Sequence, residues 1–219
     1  MRSIDTLLCA LLGLAVSQRT SSTVQRIDLA ERLTAGTLRV VNRQATRLPA
    51  RSDAVHLSAG EQVGLAWVDG TDFGDGTIEL DVRGKDVFQQ SFVGIAFHGK
   101  NDTTYESVYI RPFNFRATDP ARHQHAVQYM TVPEFDWPRL REQFPEEFEN
   151  PVNTTLSPTD WVALRIVVRG PRVQVFVGQV ANVTLEVRKL GTLDRGLVGL
   201  WVGNTSDGDF ANLRITPAP

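Results

Sequence analysis

Residues 91–111 read SFVGIAFHGKNDTTYESVYIR, and the period of this stretch decides the fold. Val93, Ile95 and Phe97 alternate with Gly94, Ala96 and His98, which is the period-two pattern of a half-buried strand. Gly99-Lys100-Asn101-Asp102 supplies turn residues. Alternation then resumes, with Val108 and Ile110 pointing inward and Tyr105, Ser107, Tyr109 and Arg111 outward. Glu106 shares the inward parity, so it is expected to be a buried or paired carboxylate.

The same pattern runs outward in both directions. Strands are predicted at 38–42, 44–48, 54–57, 63–68, 77–83, 91–98, 105–111, 126–131, 161–169, 172–178, 183–189, 196–202 and 210–215. Asp69-Gly70, Gly74-Asp75-Gly76, Arg169-Gly170-Pro171 and Asp207-Gly208 punctuate them. Many short strands at this spacing predict an all-β protein, an antiparallel sandwich or barrel. One helical stretch interrupts them, 137–148 (WPRLREQFPEEF), which Pro145 should end or kink. No repeat or linker divides residues 18–219, so a single domain is expected.

The chain has 219 residues, 42% hydrophobic and 22% charged, with a formal net charge of −2. This balance suits a globular core and gives no broad attraction to nucleic acid or anionic membranes. Residues 1–17 have the form of a signal peptide: Arg2 leads an apolar run from Leu7 to Val16, and Ala15 and Ser17 fit a cleavage site. The run is too short for a membrane span, which needs ~20 apolar residues. An exported protein, periplasmic or secreted, is expected. Removing this segment removes Cys9, the one cysteine, and with it any thiol or disulfide chemistry. Asn101, Asn153, Asn182 and Asn204 each begin an Asn-x-Ser/Thr acceptor site.

Alternation also groups side chains by face. In 77–83, Thr77, Glu79, Asp81 and Arg83 oppose Ile78, Leu80 and Val82. If these strands are neighbours, one sheet face gathers carboxylates, His98, Tyr105, Tyr109, Arg111 and Gln128 around a floor of Gly94 and Ala96. Tyr, Arg, His and Gln beside glycine suit a binding surface better than a merely solvated face. Laminarinase-type retaining glucanases carry Glu-x-Asp-x-x-Glu on such a strand. Here Glu79 and Asp81 occupy the first two places and Gly84 the third, so the second catalytic glutamate is absent. Retaining hydrolysis needs two carboxyl groups ~5–5.5 Å apart. Glu79 and Asp81 therefore read as a polar strand face, sugar-hydroxyl acceptors or a partner for Arg83.

Four stretches resemble the 3-keto-disaccharide hydrolase domain family, which is related to family 16 glycoside hydrolases. They are FVGIAFHGKNDTTYESVYIRPFNF (92–115), HAVQYMTVPEFDW (125–137), TDWVALRIVVRGPRVQVFV (159–177) and GLVGLWVGNTSDGDFANLRI (196–215). The resemblance implies a concanavalin A-like jelly-roll β-sandwich and a saccharide ligand. It also implies chemistry that needs one base: removal of the acidified C2 proton of a 3-keto-glycoside, expulsion of the C1 substituent, and hydration. On that reading His98, His123, His125 and Glu106 are candidate bases, with Glu106 set back by its inward parity. Arg111, the tyrosines or a divalent metal would stabilise the oxyanion.

Candidate binding residues are Glu79, Asp81, Tyr105, Tyr109, Gln128 and Trp137, with Trp137 either a sugar platform or an anchor for the helix. Trp67, Trp161 and Trp201 lie in strand patterns and read as packing residues. His123 and His125 would face one way on a strand, as a metal could use. Asp207-Gly208-Asp209 reads as a turn, with a structural calcium site as the other possibility. Two further functions fit the same fold: a lectin-like module that binds saccharide through Tyr105, Tyr109 and Arg111 without cleaving it, and a structural sandwich.

Overall fold

A computed structural model describes residues 23–219. The signal-peptide expectation falls outside them. The described chain forms fifteen strands. They are β1 Gln25–Ile27, β2 Leu38–Val41, β3 Ala45–Arg47, β4 Val55–Leu57, β5 Gly64–Phe73, β6 Gly76–Arg83, β7 Val93–Asn101 and β8 Thr104–Ile110. The chain continues with β9 Val127–Val132, β10 Glu149–Asn150, β11 Val162–Arg169, β12 Arg172–Val177, β13 Leu185–Arg188, β14 Gly196–Val202 and β15 Gly208–Pro217. Three short helices join them: α1 Leu29–Thr34, α2 Pro120–Gln124 and α3 Trp137–Gln143.

The strands build two antiparallel sheets. One runs β13-β12-β11-β6-β15-β4-β3, with β1 also on β15; the other runs β10-β9-β8-β7-β14-β5-β2. Their apolar faces meet in one core that includes Ile78, Leu80, Leu164 and Ile166 from the first sheet and Ile95, Phe97, Val108 and Leu200 from the second. Alternation leaves sandwich or barrel open and the resemblance implies a jelly-roll sandwich; the sandwich is the fold observed. Each of the thirteen predicted strands is present, shifted at its ends by a few residues. The helix is shorter than expected: α3 ends at Gln143, two residues before Pro145, which cannot donate to the next turn.

The two sheets differ on their outer sides. Burial alternates residue by residue along β6 and β11, so the first sheet turns a polar face to solvent. In β7 and β8 nearly every residue is buried, so the second sheet is covered on both faces. The second cover is a layer of aromatic rings. Tyr109, Gly94 and Trp201 lie in register on β8, β7 and β14. A Cβ on Gly94 would come within 2.7 Å of Tyr109 Cβ, so the glycine leaves room there. The Tyr109 and Trp201 rings stack at 4.6 Å and 28°. Trp67 is packed in the same way against Gly199, its register partner on β14.

This arrangement separates residues that alternation had grouped. Glu79 and Asp81 lie on the solvent face of the first sheet, because β6 pairs with β11 and β15 rather than with β7 or β8. Asp81 receives Arg51 NH2 at 2.6 Å. Gly84 could not regain a glutamate cheaply, since even a Cβ there would stand 2.5 Å from Ser91 Oγ and 2.9 Å from Pro112 Cγ.

His98 is likewise displaced. Its φ of 51° marks an irregularity in the β7–β8 register between Phe97 and Asn101, and the extra residue overturns the parity count. The ring is fully buried and stacks on Phe73 at 5.6 Å. Its Nδ1 lies 3.3 Å from Glu106 Oε2, and Lys189 Nζ lies 3.2 Å from Glu106 Oε1. Glu106 is thus the buried, paired carboxylate its parity predicted.

Candidate functional site

A cleft of about 730 Å³ lies over the aromatic-covered face of the second sheet. Its floor is Tyr109, Met130, Val132 and Trp201 from β8, β9 and β14. Four connections raise its walls. The β6–β7 loop gives Phe88, Gln89 and Phe92, and the β8–β9 connection gives Phe113, Asn114, Arg122 and His125. α3 and its N-cap give Asp136, Trp137 and Arg141, and the β14–β15 loop gives Gly203, Asn204 and Thr205.

Arg111 enters at the end of β8, almost wholly buried. Its NH1 donates to the His125 carbonyl at 2.8 Å, and its NH2 donates to Tyr109 Oη at 2.9 Å and to Gln128 Oε1. Tyr109 in turn donates to Gln128 Oε1 at 2.6 Å. Burial pushes the Tyr109 hydroxyl above its ordinary pKa, so it stays a donor at neutral pH. Asn114 Nδ2 adds a second bond to the His125 carbonyl at 3.2 Å, which fixes that residue's backbone.

The His125 side chain is fixed separately. β10 pairs with β9 so that Glu149 lies opposite Gln128. From there the buried Glu149 carboxylate meets His125 Nδ1. Arg141 forks onto the same carboxylate, Nε to Oε1 at 2.7 Å and NH2 to Oε2 at 3.1 Å. With Nδ1 held by Glu149, Nε2 is the nitrogen left for a ligand. Burial holds the His125 pKa below its ordinary value; Arg141 and Arg111 add to this, and Glu149 opposes it. The ring is therefore neutral near pH 7. A neutral imidazole oriented by a carboxylate, beside a guanidinium and a phenol, can accept a proton while the cations stabilise the anion left behind.

The predicted site residues divide as follows. Arg111, Tyr109, His125 and Trp137 line the cleft, and Gln128 lies beneath it, bonded to two of them. Tyr109 reaches it from within the stacked layer rather than as the open ring its parity suggested, being only 1% exposed. Tyr105 does not line it: its ring is buried edge-on to Trp67, and its Oη accepts from Trp201 Nε1 at 3.2 Å. His98, Glu79 and Asp81 lie elsewhere, as described above.

His123 and His125 do not share a strand face. The first lies in α2 with its Nε2 3.0 Å from the Val152 carbonyl, and the second caps the C-terminus of that helix. Trp137 is 48% exposed, with the Arg141 guanidinium 5.1 Å from its ring centre. Leu140, not Trp137, anchors α3.

Several contributors escaped the sequence reading, among them Asn114 and Arg122 of the β8–β9 connection, and Trp201, Arg141 and Glu149. Trp201 was read as packing, yet it also forms cleft floor. Arg141 stands four residues after Trp137, a helical spacing that places both on one face. Glu149 offered no local signal, because only the pairing of the two-residue β10 brings it to His125.

Among the described residues, no group of three or more His, Cys, Asp or Glu side chains is placed to hold a metal ion. The calcium reading of Asp207 and Asp209 does not fit their surroundings. Lys85 Nζ lies 2.5 Å from Asp207, while Arg83 NH2 at 2.6 Å and His56 Nδ1 at 2.8 Å hold Asp209.

No protein-family model and no curated protein matches the chain. Solved structures resemble it in fold. A protein of unknown function with a galectin-like fold from Bacillus subtilis superposes with a TM-score of 0.58 at 12% identity, over 88% of this chain and 94% of its own. The carbohydrate-binding module CBM66 from Bacillus subtilis gives 0.57 at 13% identity, over 82% and 95%. A β-glucanase from Bacillus licheniformis gives 0.52 at 10% identity, over 93% and 95%.

Proposed function

We propose that the cleft binds a saccharide and cleaves 3-keto-glycosides by elimination and hydration, with His125 as the base. The observation that carries this reading is the His125–Glu149 pair at the wall of an aromatic cleft. The resemblance to 3-keto-disaccharide hydrolases supplies the substrate class. The fold shared with a carbohydrate-binding module and a β-glucanase supports a sugar ligand. Two-carboxylate hydrolysis is not supported. Asp136 is the one carboxylate residue among the described cleft-lining residues, and its Oδ1 caps α3 through Arg139 N.

In this scheme His125 Nε2 takes the C2 proton of the 3-keto sugar. The electron pair moves toward the C3 oxygen, giving an enediolate whose charge the Arg111 guanidinium stabilises, with Tyr109 and Gln128 holding that guanidinium in place. As that charge returns, C1=C2 forms and the C1–O bond breaks. The leaving oxygen takes the proton from His125. Water then adds across C1=C2, its hydroxyl to C1 and its proton to C2, and the sum is hydrolysis. The apolar sequence of residues 1–17 supports action outside the cytoplasm.

The test is incubation of the protein with 3-keto-trehalose and an aryl 3-keto-glucoside, followed by NMR. The 2-hydroxy-3-keto-glycal or 3-keto-glucose is expected, and its formation should be slowed about 10²–10⁴-fold in His125→Gln. A second reading, saccharide binding without cleavage, is favoured by the exposed Trp137 ring at the rim. It predicts intact substrates with saturable line broadening.

A further inference from the structure

The cleft differs in charge sign from the chain as a whole. The protein carries a formal net charge of −2. The cleft lining presents three guanidiniums, Arg111, Arg122 and Arg141, against Asp136, with Glu149 behind Arg141. Glu149 is committed to Arg141 and His125, and Asp136 to the α3 cap.

Among the described residues, neither Arg111 nor Arg122 has an acidic partner. Arg111 rests on a carbonyl, a phenol and an amide oxygen. Arg122 donates NH2 to the Phe113 carbonyl at 3.1 Å and Nε to Asn114 Oδ1 at 3.4 Å, with its guanidinium 4.5 Å from the Phe88 ring centre. Arg111 is almost wholly buried and Arg122 partly so, and neutral oxygens and a ring face offset only part of the cost of withdrawing them from water. A ligand carboxylate would complete both, and it matches the planar guanidinium fork.

We infer that the saccharide taken by this cleft is acidic, bearing a uronate-type carboxylate that Arg122 receives. The inference rests on the saccharide reading of the same cleft. Arg111 stands beside His125, where charge develops during the reaction. Arg122 lies on α2 in the wall, where a substituent of a bound sugar ring would reach it. A long polyanion is not implied, because the excess is local and the chain is acidic overall.

The test is calorimetric titration with an oligosaccharide containing glucuronic acid, and with the same oligosaccharide after its carboxyl is reduced to the alcohol. The acid is expected to bind about tenfold more tightly, the scale of a charge-assisted contact. R122Q should bring the two affinities together, and R122K should keep part of the difference. Equal affinities, or tighter binding of the reduced sugar, would overturn the acidic class while leaving saccharide binding intact. A preference that survives R122Q would overturn the assignment to Arg122. Binding of neither sugar would overturn this inference together with the reading it rests on.

Discussion

His125 has its backbone carbonyl held by Arg111 and Asn114, its Nδ1 held by Glu149, and one nitrogen left over. As the proposed base, His125 should leave a signature in pH. Because the His125 pKa is lowered, mainly by burial, kcat/KM should rise with pH through a limb lying below about 6.5, the ordinary histidine value, and be flat by neutrality. A pH–rate profile whose limb lies above neutrality would assign the base elsewhere. H125Q should lower kcat by about 10²–10⁴, the range for a positioned base. Trp137 makes a simpler prediction. Its ring is half exposed and packs mainly under Arg141, so W137A should cost about tenfold in saccharide affinity with little change in melting temperature, measured by calorimetry and thermal unfolding. Parity placed Glu106 correctly and misplaced His98, and at Tyr105 it gave the face but not the aromatic layer that covers it. No residue type near His98 announces the positive φ that turns it inward; an ordinary histidine can adopt that conformation only because the surrounding contacts hold it there.

At the scale of elements, α3 is a short helix resting on few contacts. It is two turns long and is held by the Asp136 cap, whose Oδ1 accepts from Arg139 N at 3.2 Å, and by the buried Leu140 side chain. L140A should cost about 2–4 kcal/mol and D136A about 1 kcal/mol in urea denaturation. Both should weaken ligand binding, because Trp137 and Arg141 ride on this helix. If L140A left binding unchanged, α3 would not be part of the site. The strands were legible because each half-buried one repeats its apolar residue every second position, a local property. β10 was not, because its two residues become a strand only by pairing with Gln128 and Val127 some twenty positions earlier.

On the scale of the whole molecule, the sandwich contains a charge cluster that no face pattern reveals. Glu106 and His98, from the second sheet, meet Lys189, which follows β13 of the first. Removing one partner from such a buried set is costly while removing both is not. K189M should therefore lose about 3–5 kcal/mol, and E106L/K189M should regain most of it, as read by urea denaturation of the three proteins. That the chain is a sandwich could be read from its period. Which strands lie side by side could not, since β6 finds β11 and β15 across the length of the chain. That unreadable order sends Glu79 and Asp81 away from the cleft. The division of labour within the cleft has a further consequence. Its floor belongs to strands locked on both sides, whereas its walls come from separate connections that are tied to one another through side chains, as where Glu149 joins Arg141 to His125 and Phe88 meets Arg122. A lineage built on this frame can reshape its cleft by editing loops, keeping the same palm and growing new fingers.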